Sequence, residues 1–302
     1  MTILLNKLYN LFLTEEVKKK IEKKIILFSI ISFLIHLLLI VFNKSNIIKL
    51  DEYSKFFDNP IAAIYTPFSF ILVYEVYLLV FYIPQSTSTY IGKQYEIILL
   101  ITLRRLFKDI SNLQLTNNWF NIKSDVVFVY DLIAVILLFY LILIFYKLAN
   151  KGKKSSFPTS VSAELAKFIK TKKIIATLLI PILLILVLYS FGKWLQVSFF
   201  SINKLVYEFK DVNKIFFDDF FMLLILVDVF LLLFSFFHSD KFSVVIRNSG
   251  FLISTIMIRL SFSTDGLLNI ILLVASVLFG IIIFATHNQY EKLSHKTESS
   301  GG

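Results

Sequence analysis

Single charged side chains interrupt long apolar stretches of this sequence, and their spacing suggests paired charges. Glu75 lies in the middle of "FILVYEVYLLVFY", and Asp228 lies in the middle of "MLLILVDVFLLLF". The next apolar stretch holds Arg105 in "ITLRRL" in one case and Arg259 in "TIMIRL" in the other. An ionisable group at membrane depth costs about 2.5 to 3.5 kcal/mol on insertion scales, so such groups normally pair or line water. We predict two pairs, Glu75 with Arg105 and Asp228 with Arg259.

Two interpretations of these pairs are open. In the first, they belong to an ion or proton path or to an element that senses voltage. In the second, they fix the register of neighbouring helices. A voltage-sensing helix would carry an arginine at every third position, and neither "ITLRRL" nor "TIMIRL" does. Arg104 aligns with Ile258 and has no counterpart in the second half, which makes it a further candidate for a specific role.

Other polar residues near the predicted spans also have a functional and a structural interpretation. His36 lies in the middle of the first apolar stretch. It can act as a proton relay because its ordinary pKa is about 6.5, but we favour a hydrogen-bonded packing role. Five aspartates near predicted outer helix ends would form an acidic mouth that attracts cations, or would stabilise helix N-termini, which we favour. These are Asp125, Asp131, Asp218, Asp219 and Asp265.

The sequence lacks the common signatures of enzymes and cofactor sites. It contains no HExxH, GxSxG, GxxxxGK[ST] or GxGxxG motif and no cysteine, so the best-known metal, nucleophile and nucleotide sites have no residues to form them. We predict no enzymatic activity, no catalytic residue, no cofactor and no metal. Lipid chemistry carried by dispersed polar residues remains the alternative.

The apolar residues come in long blocks, which is typical of an integral membrane protein. Hydrophobic residues make up 57% and aromatic residues 16% of the 302 positions. A bilayer core about 30 Å thick requires roughly 20 apolar residues per helix. We predict an all-α integral membrane protein with about eight transmembrane helices. The predicted spans are 25–43, 64–84, 94–110, 126–148, 174–194, 218–238, 245–262 and 266–286. The third and the seventh are short or polar for a span.

Most of the lysines and arginines fall on one side of these spans. By the positive-inside rule that side is the cytoplasm, so both termini are predicted to be cytoplasmic, in a bacterial inner membrane. Lys93 and Arg247 open the third and seventh spans on this inner side. Lysines beside anionic lipid headgroups explain most of the net charge of +10, so the predicted partners are membrane lipids and not nucleic acid.

The two halves of the chain repeat one pattern. "KKIILFSIISFLIHLLLIVF" in the first half is matched by "KKIIATLLIPILLILVLYSF" in the second, and Lys93 precedes Arg105 by the same distance as Arg247 precedes Arg259. Four spans on each side of an inner linker give two parallel four-helix repeats. The predicted parts are an interfacial helix with a basic segment (1–24), a first repeat (25–149), a basic cytoplasmic linker (150–171), a second repeat (172–290) and a polar tail (291–302) that ends in a cloning remnant.

The second half resembles the bacterial phosphate-starvation-inducible PsiE family of four-span membrane proteins. The similar segments are "FFMLLILVDVFLLLFSFF", "FSVVIRNSGFLISTIMIRLSF" and "DGLLNIILLVASVLFGIII". The resemblance implies a tandem duplication of such a domain, and it implies no particular chemistry. The residues that correspond to the family pattern are Asp228, Arg247, Arg259 and Asp265 in the second half, and Glu75, Lys93 and Arg105 in the first.

Two functions are compatible with these features. The first is a channel or transporter for protons or small cations, built on the buried acid–arginine pairs and formed between the two halves or by oligomerisation. The second is a non-conducting membrane scaffold or stress-response accessory protein that binds a partner or anionic lipid through its basic linker.

Overall fold

Nine α-helices account for almost all of the chain that the structure describes. The computed structural model describes residues 3–45, 60–110, 123–155, 163–200, 212–237, 241–264 and 266–300. The helices are α1 (Ile3–Phe12), α2 (Glu15–Lys44), α3 (Tyr65–Phe81), α4 (Thr87–Ile110), α5 (Lys123–Ser155), α6 (Ala163–Phe200), α7 (Val212–Phe236), α8 (Phe242–Ser261) and α9 (Leu267–Ser300). A 3₁₀ turn, Pro60–Ile64, precedes α3. No strand occurs within these ranges, which confirms the all-α prediction.

Local sequence signals explain where α2 begins and how the chain turns between α8 and α9. Thr14 separates α1 from α2 and caps α2, because its side chain accepts a hydrogen bond of 3.4 Å from the backbone N–H of Val17. Glu15 and Glu16 in the first turn of α2 favour the positive end of the helix dipole. At the turn from α8 to α9, Gly266 has a φ of +66°, a left-handed conformation that glycine adopts without strain.

Among the described residues, four helices are long and apolar enough to cross a membrane. They are Glu15–Lys44, Asp125–Asn150, Phe242–Ser261 and Leu267–Ser294. Two shorter segments, Thr66–Phe81 and Phe220–Phe236, are also apolar. Each of the eight predicted spans overlaps one of the helices α2 to α9. The helical fold and the membrane character therefore agree with the sequence, whereas the crossing of all eight helices belongs to the proposal below.

Exposed apolar side chains on these helices fit a lipid environment. Phe139 and Tyr140 on α5 are 69% and 60% exposed, and Ile282 on α9 is 60% exposed. A soluble protein rarely exposes large continuous apolar surfaces. The exposed faces of the long helices are thus the surfaces that contact acyl chains when the protein is in a bilayer.

In the pairs α2–α3, α4–α5, α7–α8 and α8–α9 the two helices run in opposite directions, which gives the bundle two distinct ends. In the α2–α3 pair, the Lys18 ammonium donates to the Tyr82 hydroxyl over 3.4 Å, and far along both helices His36 Nδ1 lies 2.5 Å from Thr66 Oγ1. We call the end that holds Lys18 the basic end and the end that holds His36 the opposite end. Lys172, in the first third of α6, also lies at the basic end, because its ammonium donates to the turn between α3 and α4.

The structure describes the predicted interfacial helix and parts of the predicted linker. Helix α1 lies at the basic end, where the Tyr77 hydroxyl donates to the backbone oxygen of Phe12 over 2.7 Å. The predicted linker, 150–171, is shorter as a connection than expected, since α5 continues to Ser155 and α6 begins at Ala163. Residues 156–162 lie outside the described residues.

The two predicted repeats pack against each other through their last two helices. Phe145 of α5 lies edge-on to Tyr95 of α4, with ring centroids 5.1 Å apart, and also contacts Phe251 of α8 and Phe284 of α9. The hydroxyls of Tyr95 and Ser254 are 2.7 Å apart. A shared aromatic core therefore joins the halves and places the charged groups of each half next to helices of the other.

Candidate functional site

Asp228 and Arg259 form a buried ion pair between α7 and α8, as predicted. Arg259 Nη2 donates to Asp228 Oδ2 over 2.6 Å, and only 4% and 7% of the two side chains is exposed. Tyr90 of α4 donates its hydroxyl proton to the other oxygen, Oδ1, over 2.8 Å. The carboxylate thus has a donor on each oxygen, and one of the donors comes from the first half of the chain.

The prediction that Arg105 pairs with Glu75 is wrong. Arg105 instead binds Asp131 of α5, with Nε donating to Oδ2 over 2.6 Å and Nη2 donating to Oδ1 over 2.7 Å. Nη2 also donates to the side-chain oxygen of Asn269 on α9 over 2.8 Å. The reason is the rotation of α4, which directs this side chain toward α5 and α9 rather than toward α3.

Glu75 is buried in α3, and its electrostatic partner is Arg104. The positive charge of Arg104 acts on the Glu75 carboxylate, and Arg104 is one position, or about 100° of helix rotation, before Arg105. One carboxylate oxygen of Glu75, Oε2, is buried without a hydrogen bond. Arg104, which has no counterpart in the second half, is therefore the arginine that acts on Glu75, for which Arg105 was the predicted partner.

A small cavity with both apolar and polar side chains in its wall leads from the basic end toward the Asp228 carboxylate. It has a volume of about 50 Å³, enough for a few water molecules. Thr87 and Phe168 at its rim are half-exposed, whereas Asp228 at its far end is buried. Its polar lining consists of Thr87, Tyr90, Lys172, Asp228, Ser235, Asn248 and Thr255. Glu75 and Arg105 are not among the lining residues, so this cavity belongs to the second acid–arginine pair alone.

Lys172 is the positively charged residue among those that line this cavity. Only 4% of the residue is exposed, and its ammonium donates to the backbone oxygen of Gln85 over 3.1 Å and lies 4.9 Å from the centre of the Phe168 ring. Burial lowers the pKa of Lys172 to about 8, against the smaller opposing effect of Asp228. The side chain precedes the apolar part of α6, so it stands where the cavity meets the basic end.

Buried polar residues lie along α8, both at the cavity and farther along the helix. They follow helical spacing on one face of α8 and consist of Ser243, Asn248, Ser254, Thr255, Arg259 and Ser261. Asn248 donates to Ser235 over 2.7 Å, and Asn269 donates to the backbone oxygen of Ser261. Because Asn269 also accepts from Arg105, the polar face of α8 connects the cavity region with the Arg105 pair.

The predicted inner basic residues lie at the basic end with different partners. Lys93 binds Glu96 on its own helix over 2.6 Å. Arg247 Nη1 lies 3.1 Å from Nε2 of His287 on α9, and Nδ1 of His287 lies 3.2 Å from the backbone oxygen of Ser243. The two residues are equivalent in sequence spacing but differ in what they contact, since Lys93 lies over the Tyr82 ring at the end of α3 and Arg247 contacts α9.

The remaining candidates do not gather at this site. His36 is buried beside Thr66, and that contact supplies the hydrogen bond that a packing role requires. Asp125 and Asp131 are 0% and 1% exposed, so neither lines an open acidic mouth. Asp265 and the side chains of the adjacent pair at positions 218 and 219 lie outside the described residues.

Sequence reasoning missed several residues that complete the site. Lys172 was noted only as the first residue of the second repeat, and Tyr90 was not singled out because a tyrosine near a helix start has many roles. The polar face of α8 had a detectable signal, since its serines, threonine and asparagine recur at helical spacing in a span noted as polar. No known family model, curated protein or solved structure matches this chain, so its function is argued from these residues alone.

Proposed function

We propose that this protein is an integral membrane ion pathway in which protons enter from the basic end and are taken up at Asp228. The observation that carries the proposal is the cavity that starts at the half-exposed rim and ends on a buried carboxylate. Ionisable groups at membrane depth that touch water-filled space commonly belong to ion or proton relays. Protonation of Asp228 would weaken its bond to Arg259 and free that guanidinium to rearrange.

The charges of the cavity favour a proton over a metal cation as the transported species. Lys172 and Arg259 carry two positive charges beside the single negative charge of Asp228. A small metal cation would be repelled by this surplus. A proton can pass between hydroxyl groups and water without a cation site, and Tyr90 already donates to Asp228.

A route onward from Asp228 follows the polar face of α8. Asp228 on α7 binds Arg259 on this face. Ser261, at the end of α8, then accepts from Asn269 on α9, which in turn accepts from Arg105. The Arg105 side chain is 31% exposed near the opposite end. This chain of polar groups supports a path that reaches both ends of the bundle.

In this proposal all eight helices α2 to α9 cross the membrane as two PsiE-like parallel repeats, with the basic end in the cytoplasm. Support comes from the overlap of each predicted span with a helix and from the opposite directions of the helices in the pairs α2–α3, α4–α5, α7–α8 and α8–α9. Arg105 on α4 and Arg259 on α8 also stand at the same distance from the basic residues that begin their spans.

Proton flux into liposomes tests the proposal. Purified protein is reconstituted with an internal pH-sensitive dye, and a potassium gradient with valinomycin sets the potential. We expect wild-type protein to acidify the lumen several times faster than empty liposomes do. The double variant Asp228→Asn with Arg259→Met, which removes both charges of the pair, should reduce the rate to that of empty liposomes.

Lys93→Met is the matched control for this assay, because Lys93 binds Glu96 at the basic end and does not line the cavity. Its flux should equal that of the wild type. Size-exclusion profiles and helix content establish that each variant is folded. Wild-type flux no faster than that of empty liposomes, or full flux in the folded double variant, would refute the proton path.

A non-conducting scaffold is the second candidate, and the hydrogen bonding of the Asp228 and Asp131 carboxylates favours it. Both oxygens of Asp228 and both oxygens of Asp131 are bonded, and each group of contacts includes a residue of the other half. Such contacts lock helices together. The scaffold predicts no flux, and it predicts that Asp228→Arg combined with Arg259→Asp restores folding lost in either single change.

The scaffold also makes a prediction about the basic linker. Replacing Lys151, Lys153 and Lys154 with glutamine would abolish docking onto a protein partner or anionic lipid while the helical fold persists. Co-sedimentation with vesicles containing anionic lipid measures the lipid part of this prediction. Unchanged sedimentation would remove lipid docking through these lysines from consideration.

A further inference from the structure

Lys172 is a buried cation for which the described residues supply no carboxylate at ion-pair distance. Its ammonium contacts the backbone oxygen of Gln85 at 3.1 Å and the Phe168 ring at 4.9 Å. A buried charge is costly unless an opposite charge or several hydrogen bonds compensate for it. An ammonium group offers three donors, and a carbonyl oxygen and a ring face do not use all of them.

Asp228 does not neutralise Lys172, because Arg259 already binds that carboxylate over 2.6 Å. Counted together, Lys172, Asp228 and Arg259 leave one positive charge next to the cavity. The charge lines a cavity that has both apolar and polar side chains in its wall. The site therefore has the electrostatic character of an anion site.

Uncharged donors surround the same space. Ser235 accepts a hydrogen bond from Asn248 over 2.7 Å, so the proton of its own hydroxyl is available to another acceptor. Thr87 also lines this cavity. An ammonium with hydroxyl groups around it is suited to replace the hydration shell of a small anion.

The volume limits which anion fits. A cavity of about 50 Å³ holds a few waters, and a halide ion is only slightly larger than one water molecule. A nucleotide or sugar phosphate is many times larger than this space. We propose that the cavity binds one monovalent anion of halide size, with Lys172 as its charged ligand and the Thr87 and Ser235 hydroxyls completing its shell.

This anion site goes beyond the proton path, and it rests on the proposed function only for its role in transport. An anion beside Lys172 would cancel the surplus charge that disfavours a second positive charge near Asp228. Proton uptake at Asp228 and anion binding at Lys172 would therefore support each other. Binding itself does not require that the protein conduct anything.

Protonation of Lys172 gives the site a defined pH dependence. The charged and titratable groups that face Lys172 are Asp228 on α7, Arg247 on α8 and Tyr90 on α4. Since burial lowers the pKa of Lys172 to about 8, the ammonium is present at pH 7 and largely lost at pH 9.5. Anion affinity should fall as the pH rises through this range.

The experiment measures chloride binding to purified protein in detergent, prepared in halide-free gluconate buffer. Exchange broadening of the ³⁵Cl NMR line reports bound chloride, and gluconate is too large for the cavity. At pH 7 the wild type should show saturable broadening that bromide competes away. Lys172→Met should weaken binding at least tenfold, and Lys172→Arg, which keeps the charge, should retain most of it.

Lys173→Met is the matched control, because Lys173 is the adjacent lysine on α6 and lies over the Tyr9 ring at 5.2 Å rather than lining the cavity. Its chloride affinity should equal that of the wild type. Equal binding by wild type and folded Lys172→Met, or no saturable binding by wild type, would overturn the anion site. Chloride binding without proton flux would refute only the proton path. Proton flux without saturable chloride binding would refute only the anion site.

Discussion

Arg105 and Arg259 occupy the same position in the two halves of the chain, yet their environments differ. Arg259 binds Asp228 on the preceding helix, and both side chains are buried. Arg105 binds Asp131 on the following helix through two N–H groups, and 31% of its side chain is exposed. One arginine is thus sealed inside the bundle next to a cavity, and the other is partly open near the opposite end.

The difference shows what a repeat preserves. It preserves the depth of each arginine along its helix, since the spacing from Lys93 and from Arg247 is the same. It does not preserve the neighbour that the side chain contacts. Each site also takes one group from the other half, Tyr90 at Asp228 and Asn269 at Arg105, so the halves are interlocked at both sites.

The largest effect is expected from breaking the buried pair alone. Asp228→Asn leaves the Arg259 guanidinium buried without an opposite charge, which should reduce the free energy of unfolding by about 3 to 5 kcal/mol. Asp131→Asn breaks the partly exposed pair and should cost about 1 kcal/mol, because solvent compensates Arg105. Thermal unfolding in detergent, followed by circular dichroism, measures both losses.

The control for this comparison removes both charges of the buried pair. Asp228→Asn with Arg259→Met should recover much of the loss, since removal of both partners leaves no unpaired buried charge. Equal costs for Asp228→Asn and Asp131→Asn would show that the two arginine sites are energetically the same despite their different burial.

Replacement of Lys172, a buried positive charge beside the Asp228–Arg259 pair, should have a smaller effect on stability, and one of opposite sign. Lys172→Met should raise the free energy of unfolding by about 2 kcal/mol at pH 7, because a buried cation is replaced by an apolar side chain. The pKa of Lys172 is lowered to about 8 from an ordinary value of 10.5. Between these pH values the unfolded chain binds more protons than the folded protein.

It follows that wild-type stability should rise as the pH increases from about 8 to 10.5. The contribution of Lys172 to that rise should be missing from Lys172→Met. Denaturant midpoints at pH 7, 8, 9 and 10 for wild type, Lys172→Met and Lys173→Met measure it. If Lys172→Met is less stable than the wild type at pH 7, the ammonium stabilises the fold. That result would contradict the destabilisation expected of a buried cation without a carboxylate partner.

The sequence predicted the helices and one of the two pairs for physical reasons. Apolar blocks of span length are a strong signal, so the helices α2 to α9 follow directly from hydropathy. Asp228 and Arg259 lie on adjacent helices at overlapping depths, and their pairing required only that both side chains face each other. Arg105 had Glu75 and Asp131 within reach on opposite sides of α4, and helix rotation decided between them.

The cavity was beyond prediction because its lining comes from four helices. Thr87, Lys172, Asp228 and Asn248 are far apart in sequence, and only the packing of α4, α6, α7 and α8 brings them together. No periodicity within one helix encodes that meeting. The polar face of α8 is different, because its spacing is visible in the sequence once polar residues are examined as carefully as apolar ones.

The smallest predicted effects concern the glycines that set the helix spacing in each half. A Cβ at Gly250 would lie 2.6 Å from Cγ2 and 2.8 Å from Cγ1 of Ile283, whereas a Cβ at Gly92 would lie 3.0 to 3.1 Å from the outer ring atoms of Tyr146. Ile283 is a stiff branched side chain, and the Tyr146 ring can shift by rotation. Alanine also gains up to about 1 kcal/mol of helix propensity over glycine.

Gly250→Ala should therefore destabilise the protein by about 1 to 2 kcal/mol, because a forced shift of α9 outweighs the gain in propensity. Gly92→Ala should change stability by less than about 1 kcal/mol, because the two effects nearly cancel. Thermal unfolding of the two variants measures the difference. A larger loss for Gly92→Ala would mean that the first half is packed as rigidly as the second, so the partial exposure of Arg105 would reflect its position near the helix end and not looser packing between α4 and α5.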